Sequence, residues 1–216
     1  MSNPWESISL TDYENHMRLN SVKQLQTMNE IMKGQLDNAA VSSAMIFGVA
    51  GGNGLEHVDK KKYTKVYGID INKEYLTAVK NRYPELSGTL ECLLIDMIAE
   101  YDKLPQAELL IANLFIEYIG YEVFQKAILQ VAPKYVSCII QINTDEETWV
   151  SDSPYLHVFD RLDEVHHQME EQKLIQAMKQ IGFALTKQLE YPLPNGKKFV
   201  QLDFNRYISI DRIVLL

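Results

Sequence analysis

Five short apolar stretches recur along this chain, most of them separated by segments with apolar residues every three or four positions. This alternation restricts the fold more than any other feature. The strand candidates are Ala44–Gly48, Lys65–Asp70, Leu90–Ile95, Ala107–Asn113 and Tyr135–Ile142. Helices are predicted over Gly54–Lys61, Lys73–Tyr83 and Gly120–Val131, the last through Val123, Phe124, Ala127, Ile128 and Val131. Strands that alternate with helices form a parallel sheet, and such a sheet is covered on both faces.

The two ends of the chain follow other patterns. Leu10–Leu36 reads as one amphipathic helix, with Thr11 and Glu14 in capping-box spacing and Met17, Val22, Leu25, Met28 and Met32 along one face. After the fifth strand a long helix, about Leu162–Ile181, stops at Gly182. A hairpin follows: Phe183–Tyr191, a turn holding Pro192, Pro194, Asn195 and Gly196, and then Lys198–Arg206. The apolar tail Ile208–Leu216 is left open between a further edge strand and a homodimer contact. With 216 residues and no repeat or Gly/Ser linker, the chain reads as a single domain over 1–216. Residues 1–40 form an N-terminal helical segment ahead of a core over 41–216.

Composition removes several classes of function. A formal charge of −8 opposes the electrostatic attraction on which binding to nucleic acid or an anionic membrane rests, so neither is an expected partner. The basic run Lys60–Lys62 reads as a solvated helix end. The longest apolar stretch, Leu109–Ile119, is broken by Asn113 and Glu117 and falls short of the roughly 20 residues of a membrane span. Cys92 and Cys138 sit in apolar strands, form no CxxC pair and follow no signal peptide, which fits reduced core thiols and a cytoplasmic location.

The first strand runs into Gly48-Val49-Ala50-Gly51-Gly52-Asn53-Gly54, four glycines in seven residues, as in a loop that admits a ligand against the backbone. Gly48, Gly51 and Gly54 also spell GxxGxxG, a pattern of nicotinamide-dependent short-chain oxidoreductases. None of the twelve tyrosines has the Lys four residues later that such enzymes need, and GxGxxG fails because His57 stands at the third glycine. The second strand ends in Asp70, a carboxylate suited to two ribose hydroxyls, followed by Ile71. The third ends in Asp96, suited to an adenine amino group, with Met97 beside the ring.

Gly loop, two strand-end acids, fourth-strand segment and terminal hairpin, in this order, resemble the class I S-adenosylmethionine-dependent methyltransferases across nearly the whole chain. The resemblance implies an α/β fold: a Rossmann-like three-layer sandwich with a mostly parallel seven-stranded sheet, a C-terminal antiparallel hairpin, helices on both faces and an N-terminal helical lid. It implies S-adenosyl-L-methionine as cofactor, S-adenosylhomocysteine as product, and binding by Gly48, Ala50, Gly52, Gly54, Asp70, Ile71, Asp96, Met97, Asn113 and Leu114. Two positions depart from the family. Gly48 stands where an acid is frequent, and Ala50 where a glycine is, which motivates the rival reading of a non-catalytic or regulatory nucleoside-binding protein.

Displacement at an activated methyl group needs alignment and dryness before it needs a catalytic side chain. Where the acceptor carries a proton, the candidate bases are Tyr13, His16, Glu117 and His157. Asn113-Leu114-Phe115-Ile116 lacks the NPPY-like run of amino-directed methyltransferases, which with the acidic charge favours a small-molecule acceptor. His166 and His167, adjacent on a helix, diverge, so no metal site is expected. Trp149, Tyr155 and Phe159 form an aromatic cluster of open role after the fifth strand.

Overall fold

The structure, a computed structural model, describes residues 3–37, 40–143 and 149–207. The tail Ile208–Leu216 lies outside the described residues. Chain order gives α1 (Leu10–Arg18), α2 (Gln24–Asp37), β1 (Ser43–Phe47), β2 (Lys65–Asp70), α3 (Lys73–Arg82), β3 (Leu90–Leu94) and α4 (Met97–Glu100). There follow β4 (Leu109–Asn113), α5 (Ile116–Val131), β5 (Tyr135–Ile142), α6 (Glu171–Gln180), β6 (Phe183–Pro192) and β7 (Lys198–Arg206). The sheet order is β3-β2-β1-β4-β5-β7-β6, with β7 antiparallel to both its neighbours and the other pairings parallel. This is the predicted Rossmann-like architecture with its terminal hairpin.

Alternate residues of each central strand enter opposite cores. Met45, Phe47, Leu110, Ala112, Cys138, Leu202 and Phe204 pack with Phe124 and Ile128 of α5 and Leu174 and Met178 of α6. Ala44, Ile46, Val66, Leu109 and Ile111 face Met32 and Leu36 of α2 and Leu76 and Val79 of α3. A strand apolar on both sides has two helical layers to satisfy, which is why the run carries no polar alternation. The chain reverses its order between β1 and β4, and the crevice outside their C-terminal ends is where open α/β sheets bind ligands.

Four helix predictions are corrected. Leu10–Leu36 is two helices, because Lys23 takes φ +53° and Val22 and Lys23 turn back onto the Leu19 carbonyl. Ser9, not Thr11, caps α1 through its hydroxyl and the Asp12 N–H. Gly54–Lys61 keeps a single 3-10 turn, Leu55–His57. The backbone then turns at Asp59, whose carboxylate accepts from Lys61 N–H and competes with a helix. The long helix at Leu162–Ile181 divides into a 3-10 segment, Leu156–Glu164, and α6. His167 N–H leaves the helix to bond the Glu117 carbonyl at 2.7 Å. The helix predicted from Gly120 begins instead at Ile116, with Gly120 at φ 71°, ψ 169° interrupting it after its first turn. The Lys60–Lys62 run is a turn rather than a helix end, and Lys62 Nζ reaches the Leu36 and Asp37 carbonyls at the end of α2. Among the described residues no helix is long and apolar enough to cross a membrane.

Candidate functional site

A cleft opens at the order reversal of the sheet. Gly48 and Ala50 from the end of β1, Asp70 and Ile71 from β2, Asp96 and Met97 after β3, and Asn113 and Leu114 from β4 all line it. Asp70 is 7% exposed. Its Oδ2 accepts from Ala50 N–H and its Oδ1 from Asn72 N–H, both at 2.9 Å, so one carboxylate ties the glycine loop to the next strand end. Burial pushes this carboxyl above its ordinary range against the pull of those N–H groups. Asp96 caps α4 by accepting from Ile98 N–H at 3.0 Å. Asn113 is fixed by a reciprocal amide pair with Gln35 of α2, at 2.8 and 2.9 Å. Ala50 and Leu114 hold φ of +45° and +52°, a conformation that costs a non-glycine residue about 1–2 kcal/mol and concentrates at functional sites.

A second cleft shares Trp5, Tyr13, Leu114 and Tyr118 with the first. Residues of the segment before α1 and of α1 itself therefore line both. Trp149 stacks on His166 at 3.8 Å and 10°, and Tyr118 meets both edge-on. Glu117, 5% exposed, lines this second cleft. Its Oε1 accepts from Gln141 N–H at 3.4 Å, and its Oε2 is buried with no partner. Burial pushes its pKa up to about 7. The other buried side-chain atoms without a partner among the described residues, Trp5 Nε1 and Tyr75 Oη, also belong to residues of these clefts.

The four candidate bases separate on these grounds. His157 is exposed and lines neither cleft, because the 3-10 segment turns it toward Ser9 and Asp12. Burial, with the charges of Asp70, Glu14 and Glu117, raises the Tyr13 hydroxyl well above its ordinary value, so Tyr13 stays a protonated donor. His16 is 4% exposed, bonds Ser153 Oγ through Nδ1 at 2.8 Å and is pulled down to about 4 by burial and Lys197. Glu117 alone combines burial in the cleft, a free oxygen and a pKa near the working range.

Solved structures share this arrangement of strands and helices. The [4+2]-cyclase SpnF superposes with a TM-score of 0.66 at 10% identity, over 89% of this chain and 85% of its own. Magnesium protoporphyrin IX methyltransferase (ChlM) from Synechocystis PCC 6803, solved with bound SAM, gives 0.65 at 12% identity over 94% and 93%. Geranyl diphosphate C-methyltransferase from Streptomyces coelicolor A3(2), solved with Mg2+, geranyl diphosphate and S-adenosyl-L-homocysteine, gives 0.65 at 9% over 86% and 81%. The fold is that of class I methyltransferases. No family model and no curated protein matches the sequence.

Methyltransferase-like glycine loops need their glycines for more than one reason, and here two of them face away from the cleft. Gly52 and Gly54 do not line it. Both have positive φ, and a Cβ would meet the Tyr83 ring at 2.7 Å or Met32 Cβ at 2.9 Å. Gly54→Ala should therefore lower unfolding free energy by about 2–4 kcal/mol, from left-handed backbone strain plus overpacking, as read by urea denaturation. An unchanged midpoint would refute that packing role. The sequence reading missed Tyr75, Phe115 and Ile98 in the first cleft and Gln141, Ser151 and Met169 in the second. Ile98, 49% exposed in α4 directly after Met97, gave no sign of this in the sequence, because exposure is set by the fold.

Proposed function

We propose that the chain is an S-adenosylmethionine-dependent methyltransferase that acts on a small-molecule acceptor. The observation that carries this reading is the junction of the two clefts at Tyr13, Leu114 and Tyr118: a side with acids at two strand ends adjoins an aromatic-walled side that holds the buried Glu117 carboxyl. The residues present fit the cofactor. Asp70 has lone pairs left for ribose hydroxyls beyond its two backbone bonds, Asp96 and Met97 would meet adenine, Asn113 would border the cofactor, and Leu114 borders both clefts. S-adenosylmethionine supplies a methyl group on a sulfonium, already activated for displacement. The chain's contribution is to align the acceptor across the junction, exclude water with the Trp5 and Tyr13 lid, and take up a proton at Glu117.

A nicotinamide dinucleotide fits less well. Its pyrophosphate needs free N–H groups at a helix N-terminus. Here Ala50 N–H binds Asp70, Gly52 N–H binds the Val49 carbonyl, and Gly54 N–H binds Glu56, whose negative charge opposes phosphate. Calorimetric titration with S-adenosylmethionine, S-adenosylhomocysteine and NADH tests the choice. Saturable heats for the first two alone are expected. NADH binding alone would overturn the reading in favour of an oxidoreductase, and no binding by any of them would overturn the cofactor assignment. The rival of a nucleoside-binding protein without turnover draws on Gly48, where the loop carries no acid, and on a cyclase sharing the fold. It is separated by whether any acceptor consumes bound S-adenosylmethionine.

A further inference from the structure

Three buried side-chain atoms among the described residues have no hydrogen-bond partner: Trp5 Nε1, Tyr75 Oη and Glu117 Oε2. Buried polar groups are normally paired, so each marks a residue that folding alone does not explain. Glu117 belongs to the second cleft, and Trp5 lines both, so a molecule in either meets it. Tyr75, 2% exposed, lines the first cleft and not the second. Its hydroxyl therefore answers to whatever the Asp70 side holds.

The Tyr75 ring is held from both ends. Tyr75 stands in the first turn of α3, whose cap Asn72 accepts from Tyr75 N–H at 3.3 Å while its own N–H donates to Asp70 Oδ1 at 2.9 Å. Asn72 Nδ2 also donates to the Trp5 carbonyl at 3.0 Å. The Trp5 indole stands edge-on to Tyr13 at 5.8 Å, and the Tyr13 ring stacks on Tyr75 at 6.3 Å and 29°. Burial, then Tyr13 and the carboxylates of Asp70, Glu14 and Glu74, hold the Tyr75 hydroxyl well above its ordinary value, so it stays a protonated donor. One cleft thus contains a fixed donor with no acceptor and a carboxylate with lone pairs to spare, and the two do not bond each other.

This pair selects a ligand group by elimination. A carbonyl or ether oxygen accepts from Tyr75 and has nothing for Asp70, an ammonium has nothing for Tyr75, and a phosphate or carboxylate meets the charge of Asp70. A hydroxyl serves both, accepting from the phenol and donating to the carboxylate. We infer that Tyr75 is a cofactor-binding residue whose hydroxyl donates to a ribose hydroxyl that in turn donates to Asp70. This rests on the methyltransferase reading and adds to it the side chain that distinguishes ribose from deoxyribose.

Tyr75→Phe separates this role from packing, because phenylalanine keeps the ring and removes only the atom without a partner. The urea midpoint of the unliganded protein should stay the same or rise, since no bond is lost and one hydroxyl fewer is buried. Calorimetric affinity for S-adenosylhomocysteine should fall about fivefold or more. The same titrations with the 2′-deoxy and 3′-deoxy analogues of S-adenosylhomocysteine close a double-mutant cycle. For one of the two analogues, variant and parent should bind within about twofold of each other, because the hydroxyl that Tyr75 serves is already gone. An affinity for S-adenosylhomocysteine within about twofold of the parent overturns the role of Tyr75. An equal loss for all three ligands, or a lowered midpoint of the unliganded protein, overturns it in favour of packing. Each of these leaves the methyltransferase reading standing, whereas failure of S-adenosylhomocysteine to bind the parent overturns both.

Discussion

Asp70→Ala is expected to weaken S-adenosylhomocysteine binding at least tenfold, about 1.4 kcal/mol, measured calorimetrically well below the melting temperature. The effect has two sources that act together. Under the proposed function the carboxylate accepts ribose hydroxyls, and it also anchors Ala50 N–H, whose residue sits in a left-handed conformation that nothing in its own chemistry favours. Truncation leaves the part-buried Ala50 and buried Asn72 N–H groups without their acceptor and costs about 2–6 kcal/mol of stability, since each lost partner is worth about 1–3 kcal/mol. Asp70→Asn keeps an acceptor for one of those N–H groups and separates the two sources: it should recover part of the stability and little of the affinity. Unchanged affinity in the alanine variant would remove Asp70 from the cofactor site.

Glu117→Gln is expected to change turnover and stability in opposite directions. Burial raises the Glu117 carboxyl from its ordinary 4.5 to about 7, so the native state holds this proton more tightly than the unfolded chain. Stability contributed at this position is therefore fully present below about pH 4.5 and is lost as pH rises to about 7. Above that, the ionised carboxyl costs roughly 3 kcal/mol, from 2.5 units at 1.36 kcal/mol each. The groups around it are Tyr13, Tyr118, His16, His166, His167 and Gln141, with Lys197 beyond them. Glutamine keeps the bond from Gln141 N–H and removes the titration, but leaves an amide donor unpaired, which takes back about 1–2 kcal/mol. At pH 8 the variant should be more stable than the parent by about 1–2 kcal/mol, and at pH 4 no more stable. Turnover should fall about a hundredfold, the usual weight of a general base. Equal pH dependence of unfolding in parent and variant would refute the buried carboxyl, and retained turnover would refute the base. Such a stability gain on removal is the common mark of a group kept for chemistry.

The legible part of this protein is the part governed by local pattern. β2 and β5 lie at their predicted bounds because strands buried in a parallel sheet read as mostly apolar runs, and β7 because its alternating faces and the Pro–Asn–Gly turn before it mark a hairpin strand. Asp70 and Asp96 were visible because a carboxylate that ends an apolar strand has little structural reason to be there. Gly52 and Gly54 show the limit of the same reasoning. A glycine required by a neighbouring side chain looks, in sequence, like one required by a ligand, and only the approach of Tyr83 and Met32 tells them apart. Trp149 and Phe159 were visible as an aromatic cluster but not as a cleft wall, since ring-to-ring geometry between separate segments leaves no periodic signal.

By itself the sequence determined the succession of strands, the terminal hairpin and the two acids at strand ends, because these follow from hydrophobic period and residue chemistry within a few positions. Only the tertiary structure decided that Glu117 is buried beside Trp149 and His166, that His157 faces elsewhere, and that the two clefts meet at Tyr13, Leu114 and Tyr118. Those outcomes depend on where Gly120 and the His166–Met169 segment break their helices. Such breaks are made by long-range bonds, such as the one from His167 N–H to the Glu117 carbonyl, and a side chain's pKa follows from its burial rather than from its neighbours in sequence.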